Sequence, residues 1–217
     1  MTTNQTFDVT QQLDAIERAV EIGPGETGIG PKVVQRISRV YRTDVDDLWD
    51  AVTNPERLPR WFAPVDGDLR LGGHYQVQGN AGGTIERCEA PRLFQATWEF
   101  GGGVSWILVT VDPAGDDRAQ LSLEHRGEVP DEFWSKYGPG ATGVGWDAGF
   151  AGLSAYLEMG RSIPTEEGEM WFLSPEGKAF SSGSSTRWAA AAIAAGTPEA
   201  DARAAEIATT AFYQGEG

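Results

Sequence analysis

The sequence predicts an α+β fold in which a curved antiparallel β-sheet wraps around one long C-terminal helix. Turn signals recur about every ten residues between residues 68 and 126, which is the spacing of an antiparallel meander. A long apolar segment, residues 142–159, follows these strands with helical periodicity. It is the largest element available to cover one face of such a sheet.

The first strand is predicted at residues 33–42, where β-branched residues dominate. A short helix follows at residues 45–52, which Thr43 or Asp44 can cap. Asn54-Pro55 ends that helix and leads into a second short helix that carries two aromatic residues. The later strands are predicted at residues 68–71, 74–78, 84–89, 93–100, 104–112 and 119–126.

We expect three parts along the chain. Residues 1–31 are polar, end in a glycine-rich run and predict a flexible N-terminal arm with a short helix near residues 9–20. Residues 32–160 form the compact domain. Residues 161–217 form a C-terminal extension that lies outside it.

The extension is predicted to be partly helical. Residues 168–182 resemble a small hairpin around the turn 174–177, because Ser-Pro-Glu-Gly is a strong turn sequence. Two Ala-rich helices follow at residues 186–195 and 200–213, the second with Thr197 as its cap.

Composition argues against several classes of protein. The net charge of −15 opposes non-specific binding to nucleic acid and to anionic membrane surfaces. Cys88 is the only cysteine, so no internal disulfide can form, and its place among strand residues predicts a small packing residue. With no signal peptide or membrane span in the sequence, we expect a cytoplasmic protein.

Six sequence pieces in order resemble a known superfamily. They are LWDAVTNPERLPRWFAP, LGGHYQV, GGTIERCEAPRLFQATW, VTVDPAG, LSLEHRG and GWDAGFAGLSAYL. Together they resemble the START-like (SRPBCC) helix-grip superfamily, in the branch named after the activator of the heat-shock-protein-90 ATPase. The resemblance covers about residues 33–160 and implies a cavity between the sheet and the long helix. The eukaryotic activator carries an additional chaperone-binding domain that has no match here, so its name alone does not give a function.

Strand alternation indicates which residues face that cavity. His125, for example, shares a face with Leu121 and Leu123. A wall rich in aromatic and aliphatic side chains suits a small hydrophobic or aromatic ligand, bound by a carrier, a sensor or a stress-related protein. The same side chains could instead fill the core. The predicted ligand-binding residues are Trp61, Phe62, Tyr75, Val77, Phe94, Trp98, Ile107, Val109, Leu121, Leu123, His125, Trp146 and Phe150.

Two alternatives stay open. The first is a cyclase- or hydrolase-like enzyme that uses His125 or Tyr75 as an acid–base group in the same cavity. The sequence holds no clear catalytic pair, metal motif or cofactor motif, so it favours a role without catalysis, metal or cofactor. The second is a protein-interaction or chaperone-cofactor module, and residues 161–217 are a candidate surface for a homodimer.

Overall fold

The computed structural model describes residues 7–163 and 165–216. In these residues the strands form one antiparallel sheet in the order β1-β2-β8-β7-β6-β5-β4-β3. The strands are β1 (Glu17–Gly23), β2 (Lys32–Tyr41), β3 (Val65–Gly67), β4 (His74–Val77), β5 (Gly82–Glu89), β6 (Leu93–Phe100), β7 (Gly103–Pro113) and β8 (Ala119–Glu128). The helices are α1 (Val9–Asp14), α2 (Val45–Thr53), α3 (Asp131–Tyr137), α4 (Gly140–Met159), α5 (Thr165–Phe172), α6 (Pro175–Ala194) and α7 (Glu199–Tyr213), with a 3-10 turn at Leu58–Arg60.

This order confirms the predicted fold class. From β2 to α4 the chain runs through a strand, two short helices, six strands and a long helix, as expected, with α3 as an unpredicted addition before α4. The chain forms two compact units. The first unit contains Ser38–His125 and Gly152–Thr165, and the second contains residues 7–37, Arg126–Ala151 and residues 166–216.

The core of the first unit follows from strand alternation. Ile107, Val109 and Val111 of β7 are buried while the residues between them are only partly so, because successive side chains point to opposite faces. Helix α2 begins at Asp44, whose carboxylate accepts a hydrogen bond of 2.8 Å from the Asp47 amide. Leu48 lies on the apolar face of α2 and is fully buried.

The second unit contains a buried ion pair. The Arg18 guanidinium on β1 binds the Asp147 carboxylate on α4 through Nε at 2.9 and 3.0 Å and through Nη2 at 2.9 Å. The Ser184 hydroxyl on α6 donates to the same carboxylate at 2.5 Å, and Arg18 also donates to the carbonyls of Leu13 and Ile16. Burial raises the pKa of Asp147, against the opposing effect of Arg18 and Ser184. One charged cluster therefore joins three elements that are far apart in sequence.

Helices α4 and α6 approach closely beside this cluster. A Cβ atom added to Gly143 would lie 2.4 Å from Cε2 of Trp188, which is itself fully buried. The indole ring therefore occupies the space that any larger residue at position 143 would need. Farther along α6, Phe180 packs with Leu13 and Ala151 in an apolar cluster.

The hairpin predicted at residues 168–182 is wrong, because this stretch contains the end of α5 and the start of α6. The turn signal at 174–177 is a helix start. The Ser174 hydroxyl accepts a hydrogen bond of 3.1 Å from the Gly177 amide, and Pro175 occupies the first turn. Serine and proline favour both a β-turn and a helix N-terminus, so the local sequence did not decide between them.

The secondary structure before β2 also differs from the expectation. Helix α1 ends at Asp14 and the chain continues as β1, so residues 9–20 are not one helix, and residues 7–31 are not one irregular arm. Leu13, Ile16 and Val20, whose spacing resembles one stripe of a helix, are all buried, although only Leu13 lies in α1. A short helix followed by a strand can bury the same residues as one longer helix, although side chains on one face repeat about every 3.6 residues in a helix and every two residues in a strand.

Three smaller predictions need correction. The strand expected at residues 68–71 lies at Val65–Gly67 instead. Helix α7 begins after Pro198 without a side-chain cap, so Thr197 is not its cap. Cys88 is exposed and is not a packing residue of the core.

Large apolar side chains of the extension are exposed in the second unit, namely Met170, Leu173, Ile207 and Phe212. The homodimer predicted through residues 161–217 stays a prediction. In the described part of the chain, none of the helices combines the length and the apolar character that crossing a membrane requires.

Replacing Arg18 by Met should strongly destabilise the protein. The substitution leaves the Asp147 carboxylate buried without its partner, which typically costs about 3–5 kcal/mol. Arg36→Met is the matched control, since it breaks an exposed pair with Glu21 whose loss should cost less than about 1 kcal/mol. Urea denaturation measures both values, and equal losses in the two variants would contradict the role assigned to the buried pair.

Gly143→Ala should destabilise the protein by about 1–3 kcal/mol, although alanine is the better helix former, because the added methyl group meets the Trp188 ring. The control is Gly145→Ala on the same helix, where position 145 is exposed and the added atom meets only the Tyr213 hydroxyl at 3.3 Å. That variant should stay within about 1 kcal/mol of the native protein. Thermal or urea unfolding measures the stability of both variants. If Gly143→Ala were more stable than the native protein, the Trp188 ring would not be in close contact with position 143.

Candidate functional site

The first unit contains an apolar cavity of about 350 Å³. Helix α2 and the 3-10 turn form one side, and strands β3 to β7 form the other. Aromatic rings dominate its wall. The lining residues are Trp49, Val52, Thr53, Leu58, Phe62, Val65, Leu69, Tyr75, Val77, Ile85, Cys88, Ala90, Phe94, Ala96, Trp98 and Ile107.

Strand β6 places one small residue between two large ones on the cavity face. Phe94, Ala96 and Trp98 alternate with residues that point to the other side of the sheet, and all three line the cavity. Ala96 is 1% exposed and stands opposite Ile107 of β7. The short side chain of Ala96 leaves free volume that its two ring-bearing neighbours enclose. Phe100, which follows in the same alternation, is exposed.

A β-bulge in β5 adds Cys88 to the same wall. Ile85 pairs with Ala96 and Cys88 pairs with Phe94, so three steps along β5 match two steps along β6. The register shift between Ile85 and Arg87 absorbs the extra residue. Both Ile85 and Cys88 therefore face the cavity, which regular alternation would not allow.

Helix α2 contributes Trp49, whose ring meets Phe94 edge to face with centroids 6.1 Å apart. Arg57 fixes the turn after this helix by donating to the carboxylates of Asp47 at 2.8 Å and Asp50 at 2.9 Å. Hydrogen bonds from Arg57 and Asn54 lower the pKa of Asp50, so its carboxylate stays ionised and paired near neutral pH. This network supports the helical side of the cavity.

Two polar side chains in the wall already have partners. The Tyr75 hydroxyl donates to the carbonyl oxygen of Thr97 at 2.6 Å, and the Thr53 hydroxyl donates to the carbonyl oxygen of Trp49 at 2.7 Å. Burial raises the pKa of Tyr75, so the phenol stays protonated at neutral pH. Neither hydroxyl has its proton available for a ligand in this arrangement, and the wall behaves as an apolar surface.

His125 is not among the lining residues of the cavity. Its Nε2 is 2.8 Å from the Ser105 hydroxyl, and that hydroxyl also donates to the Trp98 carbonyl oxygen at 3.1 Å. The hydroxyl has one proton, so if it donates to the Trp98 carbonyl the imidazole carries its own proton on Nε2. Burial lowers the pKa of His125 to about 4, so the ring is neutral at pH 7. The ring meets Trp98 at a centroid distance of 6.2 Å and supports it from outside the cavity.

The structure brings together six of the predicted site residues. Phe62, Tyr75, Val77, Phe94, Trp98 and Ile107 line the cavity. Val109, Leu121 and Leu123 are buried in the first unit but are not part of the lining. Trp61 is held elsewhere by its indole N–H, which donates to the Ala51 carbonyl at 3.0 Å. Trp146 and Phe150 belong to the second unit, where Phe150 is buried and Trp146 is half-buried.

The predicted site did not include α2. Trp49 of this helix lines the cavity, and a large aromatic residue on a short helix beside the sheet was a usable signal for it. Cys88 was missed because the bulge in β5 cannot be seen in an alternation pattern. Ser105, the partner of His125, was also missed, and its signal was a lone hydroxyl on the apolar face of β7.

Within residues 7–163 and 165–216, no group of three or more His, Cys, Asp or Glu side chains is arranged to hold a metal ion.

The fold defines a START-like helix-grip protein, as the sequence pieces predicted. The family model for activator of Hsp90 ATPase homolog 1-like protein matches residues 42–158, more than half of the 217 residues, and the chain belongs to this family. A search of curated proteins found no match.

Solved structures agree with this assignment. The crystal structure of CalU16 from Micromonospora echinospora is 30% identical, with a TM-score of 0.64 over 82% of this chain and 99% of that chain. The solution structure of CalU16 is 31% identical, with a TM-score of 0.66 over 83% and 97% of the two chains. DynU16, a protein of the dynemicin biosynthetic locus, shares the fold at 21% identity, with a TM-score of 0.53 over 60% of this chain and 49% of its own.

His125→Gln should reduce the loss of stability in mild acid. The pKa of His125 is about 4 in the folded protein and near 6.5 in the unfolded chain, so the unfolded state binds more protons between these values. The stability contributed by the neutral ring is therefore present above about pH 6.5 and is lost as the pH falls to about 4, at no more than about 1.4 kcal/mol per pH unit.

Urea denaturation at several pH values between these limits measures the effect. Gln keeps a hydrogen-bonding group near Ser105 but does not titrate, so the variant should show a shallower pH dependence. His74→Gln, at an exposed histidine, is the control for the substitution itself. If the free energy of unfolding fell equally steeply with pH in the native protein and in His125→Gln, His125 would not be a buried neutral ring.

Proposed function

We propose that the first unit binds a small, uncharged hydrophobic or aromatic molecule in the cavity between α2 and strands β3 to β7. The observation that supports this proposal is the alternation of Phe94, Ala96 and Trp98, which leaves a partly open space with aromatic walls. A cavity of about 350 Å³ lies within the range of small-molecule sites. Membership in a START-like family, whose fold suits ligand binding, supports the same function.

The wall indicates an uncharged ligand. Its lining contains no Asp, Glu, Lys, Arg or His side chain among the described residues. A charged group moved into this space would lose its hydration without gaining an ionic partner, which is strongly unfavourable. Aromatic ligands have the further advantage of edge-to-face contacts with Trp49, Phe94 and Trp98. A carrier or a sensor of such a compound is the role that these features fit.

The enzymatic alternative has less support. Tyr75 has its hydroxyl proton in a hydrogen bond to a backbone carbonyl and a raised pKa. His125 is hydrogen-bonded to Ser105 and lies outside the lining. General acid–base catalysis needs a group within hydrogen-bond reach of the reacting atom and with a pKa near the working pH. Neither candidate meets both conditions in this arrangement.

The neutral dye N-phenyl-1-naphthylamine provides a direct test, because its fluorescence rises when it enters an apolar site. We expect saturable binding to the native protein and a loss of affinity of at least about tenfold in Ala96→Leu, whose longer side chain occupies the free volume. Ala114→Leu is the matched control, since Ala114 lies in the turn after β7 and does not line the cavity.

Circular dichroism and urea denaturation would verify that both variants are folded. Binding that is equal in the native protein and Ala96→Leu would place the dye elsewhere and contradict the proposal. The absence of saturable binding to the native protein would also contradict it. Native mass spectrometry of the purified protein then identifies any small molecule that is retained from the cell.

A further inference from the structure

A second and larger cavity, of about 550 Å³, lies in the second unit. Its walls come from α3, the turn between α3 and α4, helices α6 and α7 with their connecting turn, and one residue of β1. All of these parts belong to the same unit. The cavity shares no lining residue with the one in the first unit.

Small side chains at helical spacing form the inner wall of this cavity. Ser185, Ala189 and Ala192 follow one another along one side of α6, and Ala202 and Ala205 line the cavity from α7. Ala189, Ala192 and Ala202 pack together in one buried cluster, so the two helices are in contact at the base of the cavity. The aromatic contributions come from Trp134 and Tyr137 of α3.

Hydrogen bonds hold the walls in place. The Thr209 hydroxyl on α7 donates to the Tyr137 carbonyl at 2.9 Å, which joins α7 to the end of α3. The Gln35 amide donates to the Pro139 carbonyl at 2.6 Å, and the Thr142 hydroxyl donates to Gln35 at 2.5 Å. The turn between α3 and α4 is therefore fixed from both sides, and the cavity is a preformed feature of the unit.

The deep wall contains a polar atom without a partner. The Ser185 hydroxyl is buried, its residue is 1% exposed, and it makes no hydrogen bond in the structure, not even to its own helix. Buried hydroxyls are nearly always hydrogen-bonded, because desolvation without a partner is unfavourable. Ser185 lines the cavity, so a group that enters the cavity can supply the missing hydrogen bond.

The charged side chains that line this cavity are acidic. Asp201 and Glu206 are the charged side chains among its described lining residues, and no Lys or Arg lines it. Glu206 accepts hydrogen bonds from Thr186 at 2.6 Å and Arg203 at 2.8 Å, so its charge is partly balanced. Asp201 is exposed in the first turn of α7. A cation is therefore favoured over an anion at the rim.

We propose that this cavity is a second binding site, for a small and largely apolar amine. Its apolar part lies against the alanine surfaces of α6 and α7 and the rings of α3. A hydrogen-bonding group on that apolar part meets the Ser185 hydroxyl, and the ammonium group lies on the Asp201 side. The site is independent of the cavity in the first unit, and it does not depend on the function proposed there.

Tryptamine and indole-3-propionate form a matched pair of probes, since they share the indole ring and differ in the charge at the end of its side chain. In an NMR titration that observes the full-length protein, tryptamine should shift the amide signals of Ser185, Ala189 and Ala205. Indole-3-propionate should bind at least about tenfold more weakly, because its carboxylate meets an acidic rim. The amide signals around Ala96 in the first unit serve as the internal reference.

Two variants test the site itself. Ser185→Ala should weaken tryptamine binding about fivefold, because it removes one hydrogen bond with little change in volume. Ala204→Trp should abolish binding, since position 204 lines the cavity from the solvent-exposed part of α7. Ala200→Trp is the matched control on the same helix, outside the lining, and should bind tryptamine like the native protein. The dispersion of the NMR spectrum shows whether each variant is folded.

Several results would overturn the proposal. A cavity that holds only water would give no shifts of the amides of the second unit with tryptamine. Equal affinity for the two probes would show that the acidic rim does not favour a cationic ligand. Unchanged binding in Ser185→Ala and Ala204→Trp would place the amine at another site.

Discussion

The cavity of the first unit depends on one constraint, the large–small–large alternation of Phe94, Ala96 and Trp98 on a single face of β6. Protein interiors are normally close-packed, so an enclosed space persists only where the neighbouring side chains are held back from it. Trp49 supports Phe94 from α2, and His125 supports Trp98 from β8. Strand pairing fixes the spacing of the two supported rings, and the short side chain between them leaves the space open.

The second unit is stabilised in a different way. Its parts come from both ends of the chain, and they meet at the buried ion pair of Arg18 and Asp147, which Ser184 completes. A buried pair adds little net stability, but it penalises any arrangement that separates the two charges. This pair therefore specifies how β1, α4 and α6 fit together. The family match ends at residue 158, so α6 and α7 lie outside it, whereas the α3 side of the second cavity lies within it.

The sequence was sufficient to predict those elements whose signals are local and regular. The boundaries of β6 followed from alternation, and capping chemistry limited the cap of α2 to Thr43 or Asp44, of which the structure uses Asp44. The position of Cys88 did not follow from the sequence, because a bulge reverses the alternation without any mark in composition. The start of α6 was missed because Ser174-Pro175 suits a turn as well as a helix. Seven of the thirteen predicted site residues do not line this cavity, because alternation identifies a face of a strand but not where along that face the packing is incomplete.

The most direct test of the account is a crystal structure of the protein grown with N-phenyl-1-naphthylamine. The account predicts density for the dye between α2 and β6, in contact with Trp49, Phe94 and Trp98, with the strand register unchanged. Density elsewhere on the protein, or aromatic rings that have collapsed onto Ala96 and closed the space, would contradict it.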